Sequence, residues 1–219
     1  MAANYQLARK NMIESQIRTN KVTDERILDS MSNLPREQFV PLHMQGFAYV
    51  DEDVDLGNGR FLQEPLILAR LVQAANIKST DIVLVIGAAT GYSPALIGRL
   101  AATVVGVESD QKLADQADTL LHELDIVNTA VIQGDENLGY PKQAPYDVIL
   151  INGAVPRVPE HILEQMSEGG RLITVIAKSS RVGEAVLIER KNGEFTQNNL
   201  FEATTPFLRS FTEDEKFTF

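Results

Sequence analysis

From residue 82 onward, the chain alternates short apolar runs with helix-like segments. Unbroken apolar runs are typical of strands that are buried on both faces of a sheet. Such strands are predicted at Ile82–Ile86, Thr103–Val107, Thr129–Gln133, Val148–Ile151 and Leu172–Ile176. Helices are predicted between them at Ser93–Leu100, Gln111–Leu124 and Pro159–Met166. This alternation predicts an α/β fold with a doubly wound, mostly parallel sheet.

The residues before this region are predicted to be helical at first and then irregular. Thr23 is expected to cap a helix that ends at Pro35, because threonine is a good N-cap and proline cannot continue a helix. A further helix is predicted to begin with Pro65, since proline is favoured at the first helical position. The acidic segment between these helices, DEDVDLGNGR, is predicted to be a loop.

The end of the chain has a different pattern from the region before it. Ala185–Arg190 and Thr196–Glu202 flank Lys191-Asn192-Gly193, and an Asn-Gly pair is a strong signal for a β-hairpin. The sheet is therefore expected to finish with antiparallel strands. Phe217 and Phe219 are expected to pack as a last strand.

Composition and charge exclude several classes of protein. The 219 residues include 44% hydrophobic residues and no cysteine, which excludes a disulfide scaffold and any Cys-ligated metal site. His43, His122 and His161 are scattered, so no metal site is predicted. The net charge of −10 repels a phosphate backbone, so no nucleic-acid partner is expected. Without an apolar run long enough to span a bilayer, the chain is expected to be cytoplasmic and not bound to membranes.

The segment after the first predicted strand is a turn of small residues that leads into a helix. It consists of Gly87, Ala88, Ala89, Thr90 and Gly91. In open α/β sheets, ligands bind outside the C-terminal ends of the strands, and a turn of small residues lets a ligand approach the backbone. A dinucleotide site would need a third glycine where Tyr92 stands. The turn therefore favours a methyltransferase-type cofactor site, with an ordinary strand-to-helix turn as the alternative.

Acidic residues follow the next two predicted strands. Glu108 lies 21 residues after Gly87, at the spacing where a carboxylate holds a ribose diol. Asp135 and Glu136 follow the third strand, where an acidic side chain can accept a hydrogen bond from an adenine amino group. Each residue alone could be a solvated carboxylate or a turn, but their succession after three strands favours an adenosyl cofactor.

Several motifs together resemble those of the protein-L-isoaspartate O-methyltransferase family. The resemblance runs from about residue 10 to about residue 178. It rests on Met12-Ile13 with Gln16-Ile17-Arg18, Pro35–Pro41, Ala48–Asp51, Gly57-Asn58-Gly59, Gly134–Pro141, Ala144–Asp147 and Gly169–Leu172. No other class I methyltransferase family known to us places these motifs in this order.

The resemblance implies a class I methyltransferase fold, Rossmann-like, and S-adenosylmethionine as the cofactor. It implies methyl transfer to the free α-carboxyl of isoaspartyl residues in damaged proteins, so that the partner is a protein or peptide carboxylate. Residues 1–64 are then expected to form an N-terminal helical extension with the acceptor-site loop. Residues 65–219 are expected to form the cofactor-binding domain. The oligomeric state is left open.

The chain departs from the family pattern at the acceptor site. The family's Gln-Thr-Ile-Ser-Gln-Pro reads Arg60-Phe61-Leu62-Gln63-Glu64-Pro65 here. Both hydroxyls that hold the substrate carboxylate in the family are replaced, by Phe61 and Gln63. Gln63 still has an N–H donor for a carboxylate, and it is the candidate catalytic residue. The alternative is a catalytically silent protein that keeps the fold to bind a partner, or one with an altered substrate.

The cofactor loop departs from the family pattern as well. Val85 stands where the family has Glu, and Ala89 stands where it has Gly. Loss of one hydrogen bond to a charged group costs about 1.5–3 kcal/mol, so these changes predict weaker cofactor binding. Glu108 and Asp135 are retained, and binding is therefore still expected.

Overall fold

The computed structural model describes residues 4–178 and 182–212. The chain begins with helix α1 (Tyr5–Asn11), which continues without a break through a π-helical and a 3-10 segment to Asn20. Helix α2 spans Glu25–Asn33. Strands β1 (Val54–Gly57) and β2 (Arg60–Leu62) form a small antiparallel hairpin. Helix α3 (Pro65–Ala75) follows, with Pro65 at its first turn as the sequence predicts.

The rest of the chain contributes the seven strands of the main sheet. They are β3 (Ile82–Ile86), β4 (Thr103–Glu108), β5 (Thr129–Gln133), β6 (Tyr146–Val155), β7 (Met166–Ile176), β8 (Gly183–Lys191) and β9 (Glu194–Ala203). The helices between them are α4 (Tyr92–Gly98), α5 (Gln111–Glu123) and α6 (Glu160–Leu163). The strand order is β5-β4-β3-β6-β7-β8-β9.

The sheet confirms the predicted fold class. Strands β3 to β7 are parallel, and β8 and β9 are antiparallel to their neighbours. Asn192 and Gly193 turn the β8–β9 hairpin with φ of +55° and +77°, the left-handed conformations that the predicted type of hairpin turn requires. The strand expected at Phe217 and Phe219 lies outside the described residues.

Three local predictions are wrong. The acidic segment predicted to be a loop contains strand β1 and the start of β2, because Val54 and Leu62 pair across the hairpin and are buried. The N-cap of α2 is Asp24, not Thr23, because the Asp24 side chain accepts a hydrogen bond from the backbone N–H of Arg26. The helix predicted at Pro159–Met166 is a single turn that ends at Leu163. It ends early because Met166 is already paired with Tyr146 at the start of β7, and both side chains are fully buried.

The core lies on both faces of the sheet. Val83 and Val85 of β3 face one cluster, which includes α3, α4 and the buried side of α2. Leu84 and Ile86 face the other cluster, which α6 and Leu208 help to cover. Residues 12–54 and the sheet contribute to the same first cluster, so the N-terminal segment is packed into the core of the main domain.

Candidate functional site

The loop of Gly87–Gly91 lies at the C-terminal end of β3, the strand that β4 and β6 flank. Its backbone is held within the protein. The N–H groups of Gly87 and Ala88 donate to Val107 O, and that of Gly91 donates to Ala88 O. The Thr90 hydroxyl donates to Phe39 O at 2.6 Å. These contacts fix the loop at the switch point of the sheet, where ligands of such folds bind.

Glu108, the last residue of β4, contacts this loop directly. Its Oε2 accepts the Ala89 N–H at 2.7 Å, and its Oε1 accepts the Asp110 N–H at 2.9 Å. The Glu108 side chain is completely buried. The two sequence motifs, the small-residue turn and the carboxylate 21 residues later, are therefore brought together in space.

A buried arginine, to which the sequence pattern assigns no role, also binds Glu108. The Arg60 Nε and Nη2 atoms lie 3.0 Å and 2.5 Å from Glu108 Oε1. Nη2 also lies 3.2 Å from Ser109 Oγ and contacts Glu136 Oε1. Arg60 is 7% exposed. It is therefore held between the two carboxylates that were predicted to bind the cofactor.

The two acidic residues after β5 differ in their environment. Glu136 is completely buried between Arg60 and the Ser210 hydroxyl. Asp135 is exposed, and its side chain accepts the Asn137 N–H at 3.0 Å. Of these two carboxylates, Asp135 is the one that solvent and a bound ligand can reach.

The C-terminal segment covers the end of β6 and the glycine loop. Residues 206–208 bond to Ala154, and the Leu208 side chain packs against Gly87. The cavity that remains between this segment, Gln63 and Ala89 has a volume of about 20 Å³. That volume holds about one water molecule, so little free space remains between the glycine loop and Gln63.

The predicted acceptor residues line the same cavity. Phe61 is half-buried and Gln63 is 3% exposed. The Gln63 amide donates to Thr205 Oγ1 at 3.3 Å, and its Oε1 atom has no hydrogen-bond partner among the described residues. A buried amide oxygen without a partner is costly, and Gln63 is one of the residues that line the cavity.

A buried arginine supports this region from the N-terminal side. Arg36 donates from Nε to Ala48 O at 2.6 Å and from Nη2 to Gln63 O at 2.7 Å. Its guanidinium lies 4.8 Å from the centre of the Tyr92 ring. Burial lowers the pKa of Arg36 and raises that of Tyr92. Arg36 therefore fixes the backbone position of Gln63.

Acidic residues border the acceptor region. Asp53 Oδ1 accepts the Glu64 N–H at 2.8 Å, and burial raises the pKa of Asp53. Burial, together with the carboxylates of Asp51 and Asp53, raises the pKa of Glu64 to about 7. The acidic run is therefore partly folded into this region, with Asp53 half-buried, and is not entirely a solvated loop.

Arg60, Arg36 and Leu208 are the site residues that sequence reasoning missed. Arg60 could have been noticed as a charged residue where the family has Gln, beside acidic residues that the sheet would bring close. Nothing in the sequence indicates that Leu208 lies over Gly87, because the two are far apart along the chain. Within residues 4–178 and 182–212, no cluster of acidic and histidine side chains is placed to hold a metal ion.

The fold and this site define a class I methyltransferase, the class whose methyl donor is S-adenosylmethionine. The sequence profile of the protein-L-isoaspartate(D-aspartate) O-methyltransferase family matches residues 7–207, and the chain belongs to this family. Two relatives carry the name protein-L-isoaspartate O-methyltransferase. The one from Koribacter versatilis is 40% identical over 85% of this chain and 83% of its own length. The one from Methanoculleus marisnigri is 37% identical over 84% and 83%.

Solved structures agree with this assignment. A protein-L-isoaspartate O-methyltransferase with 29% identity matches 90% of this chain with a TM-score of 0.77, and this chain spans 65% of that protein. A putative family member from Plasmodium falciparum, solved with S-adenosyl-L-homocysteine, has the same fold with a TM-score of 0.77 at 18% identity. The matched regions cover 95% of this chain and 99% of that one.

The chemical types of the residues at this site fit an adenosyl cofactor. A small-residue loop, a carboxylate that touches it and an exposed acidic residue are all found at one edge of the sheet. The Glu108 carboxylate is not free to accept ribose hydroxyls, because Arg60 already binds it. No helix among the described residues has the length and apolar character needed to cross a membrane.

Proposed function

We propose that this chain transfers a methyl group from S-adenosylmethionine to the carboxyl group of isoaspartyl residues in damaged proteins. The observation that carries the proposal is the contact between Glu108 and the Ala89 N–H. This hydrogen bond joins the glycine loop after β3 to the carboxylate at the end of β4. The chain that contains it belongs to the isoaspartyl methyltransferase family.

In this proposal the cofactor lies along the C-terminal ends of β3, β4 and β5. Its binding residues are Gly87, Ala88, Ala89, Thr90, Gly91, Glu108, Asp135 and Glu136. Glu108 would take the ribose hydroxyls and Asp135 the adenine amino group, because carboxylate oxygens accept both kinds of donor. Glu136 would act indirectly, because it binds Arg60, the arginine that also binds Glu108.

The acceptor carboxylate would lie beside Gln63. Bound S-adenosylmethionine supplies an electrophilic methyl group with a neutral thioether as leaving group. The chain's own contribution is mainly position, since holding two reactants in line accounts for much of the rate of such a transfer. Gln63 would donate its amide N–H to the substrate carboxylate, and Arg36 fixes the Gln63 backbone through its carbonyl.

The proposed partner is a protein or peptide carboxylate, and the proposed compartment is the cytoplasm. The net charge of −10 disfavours a nucleic-acid substrate.

A binding protein without methyl transfer is the second candidate function. The observation that favours it is the burial of Arg60 between Glu108 and Glu136, together with the small cavity. Both features lie at the position where a methyltransferase needs an open cofactor site, so they favour a protein without methyl transfer.

Two measurements separate these functions. Isothermal titration with S-adenosylhomocysteine tests the cofactor site, and transfer of tritiated methyl groups to an isoaspartyl peptide tests the reaction. Binding together with transfer to the isoaspartyl peptide, but not to the matching aspartyl peptide, is expected. Binding without transfer would favour the second function, and no heat at millimolar ligand would refute the proposed cofactor site.

A further inference from the structure

The most unusual feature of the candidate site is the buried Arg60. Its guanidinium contacts Glu108, Glu136 and Ser109 at once. Both carboxylates are completely buried, so water screens these charges weakly. A charged group this deep in the protein is stable only where its partners are fixed.

The segment that carries Arg60 is fastened over the ends of β4 and β5. Asn58 Nδ2 lies 3.3 Å from Asp110 Oδ2. The guanidinium of Arg209 lies against Gly59, in the space that a Cβ atom there would occupy. The neighbouring Ser210 hydroxyl contacts Glu136. The β1–β2 hairpin and residues 209–210 therefore hold Arg60 in place.

Arg60 takes up the hydrogen-bonding capacity of Glu108. A carboxylate has about four acceptor positions. On Glu108, Oε1 receives three N–H groups, one from Asp110 and two from the Arg60 guanidinium, and Oε2 receives the Ala89 N–H. A ribose diol needs two acceptor positions and only one, on Oε2, is left, so both hydroxyls can bind Glu108 only where Arg60 has left.

We infer that Arg60 is an intramolecular competitor of the adenosyl cofactor, and that its displacement from Glu108 sets how tightly the cofactor binds. This inference rests on the proposed function, because it assigns the ribose to Glu108. It identifies Arg60 as a positioning residue whose release, with the hairpin that carries it, accompanies cofactor entry.

The test is isothermal titration of the full chain with S-adenosylhomocysteine, comparing wild type with Arg60→Gln. Glutamine is the residue that the family has at this position. Because two charge-assisted hydrogen bonds no longer have to be broken, Arg60→Gln is expected to bind about tenfold to a hundredfold more tightly.

Arg171→Gln is the matched control. Arg171 Nη2 lies 2.5 Å from Asp81 Oδ2, and this pair is 13% and 7% exposed. It lies at the opposite end of the strands, since Asp81 precedes β3. Loss of the Arg171–Asp81 pair is expected to change the affinity for S-adenosylhomocysteine by less than about twofold. It is expected to lower the stability of the protein, as the loss of any buried ion pair does.

Arg60→Gln leaves Glu108 and Glu136 without their shared cation. If this variant does not fold, Arg60→Gln with Glu136→Gln removes the second carboxylate as well, and the same gain in affinity is expected. Affinity equal to or weaker than wild type in a folded variant would overturn the inference and leave the proposed function standing. No binding by wild type or either variant would overturn both.

Discussion

At the scale of single residues, Ala89 has a backbone conformation that its side chain disfavours. Its φ is +49°, in the left-handed region, where a Cβ atom costs about 1 kcal/mol relative to glycine. The family has Gly here. The loop tolerates the cost because Glu108 accepts the Ala89 N–H.

Ala89→Gly is therefore expected to stabilise the protein by about 0.5 kcal/mol, after the greater freedom of glycine in the unfolded chain is deducted. Chemical unfolding in urea measures the change. Ala88→Gly is the control: its φ is not positive, so the same substitution should destabilise by about 0.5–1 kcal/mol. Equal effects of the two substitutions would contradict the argument.

The raised pKa of Glu64 predicts that the stability of the protein depends on pH. Its pKa of about 7 lies above that of an exposed glutamate, so the folded state keeps a proton that the unfolded state releases. The stabilisation is present below about pH 4.5 and is lost as the pH rises through 7. Glu64→Gln should remove this loss and stabilise the protein at pH 8 by about 1 kcal/mol, allowing for solvent screening.

The measurement is the free energy of unfolding at pH 5, 6, 7 and 8. Glu52→Gln changes an exposed carboxylate of the same acidic segment and should leave the pH profile parallel to that of wild type. A Glu64→Gln profile parallel to wild type would show that Glu64 does not titrate in this range.

At the scale of elements, the uniformly apolar strands were located from the sequence, but β6 (Tyr146–Val155) and β7 (Met166–Ile176) extend beyond the predicted Val148–Ile151 and Leu172–Ile176. Buried parallel strands are uniformly apolar, so β3 and β5 were predicted to the residue. The short β1–β2 hairpin and the end of α6 depend on long-range contacts instead. Arg60 and Glu136 illustrate this, because their pairing spans 76 residues and no local signal reports it.

Strand β2 and the residue that follows it carry the substitutions that distinguish this acceptor site. Phe61 and Gln63 line the cavity where the family has Thr and Ser. A phenyl ring offers no hydrogen bond to a carboxylate, and Gln63 is bulkier than serine, so the substrate would be displaced. Phe61→Thr with Gln63→Ser is expected to raise isoaspartyl methylation by about tenfold or more, because a shift of about 1 Å can cost a hundredfold in rate.

Tritiated methyl transfer to one isoaspartyl peptide compares wild type with this double variant, and titration with S-adenosylhomocysteine checks that cofactor affinity is unchanged. A double variant that binds cofactor and gains no activity would place the limitation at Val85, Ala89 or Glu64. A wild type as fast as its relatives would show that Gln63 replaces the hydroxyl adequately.

At the scale of the whole molecule, the sequence suggests a division at residue 64, and the packing couples the two parts. Leu28 of α2 is buried in the same cluster as Leu68 of α3 and Leu96 of α4. The Ser30 hydroxyl donates to Leu96 O at 3.2 Å, and Thr90 of the cofactor loop donates to Phe39 O. With a shared core of this kind, the N-terminal segment and the sheet are expected to unfold as one cooperative unit.

Leu28→Ala is accordingly expected to lower the free energy of unfolding of the whole chain by about 2–5 kcal/mol, since it leaves a cavity in this shared core. Far-UV circular dichroism and tyrosine fluorescence should show the same midpoint. Leu42→Ala removes a leucine that is 84% exposed and should change stability by less than about 0.5 kcal/mol. If only part of the signal shifted in Leu28→Ala, the N-terminal segment would unfold separately, and the cofactor loop could then be exposed without unfolding the sheet.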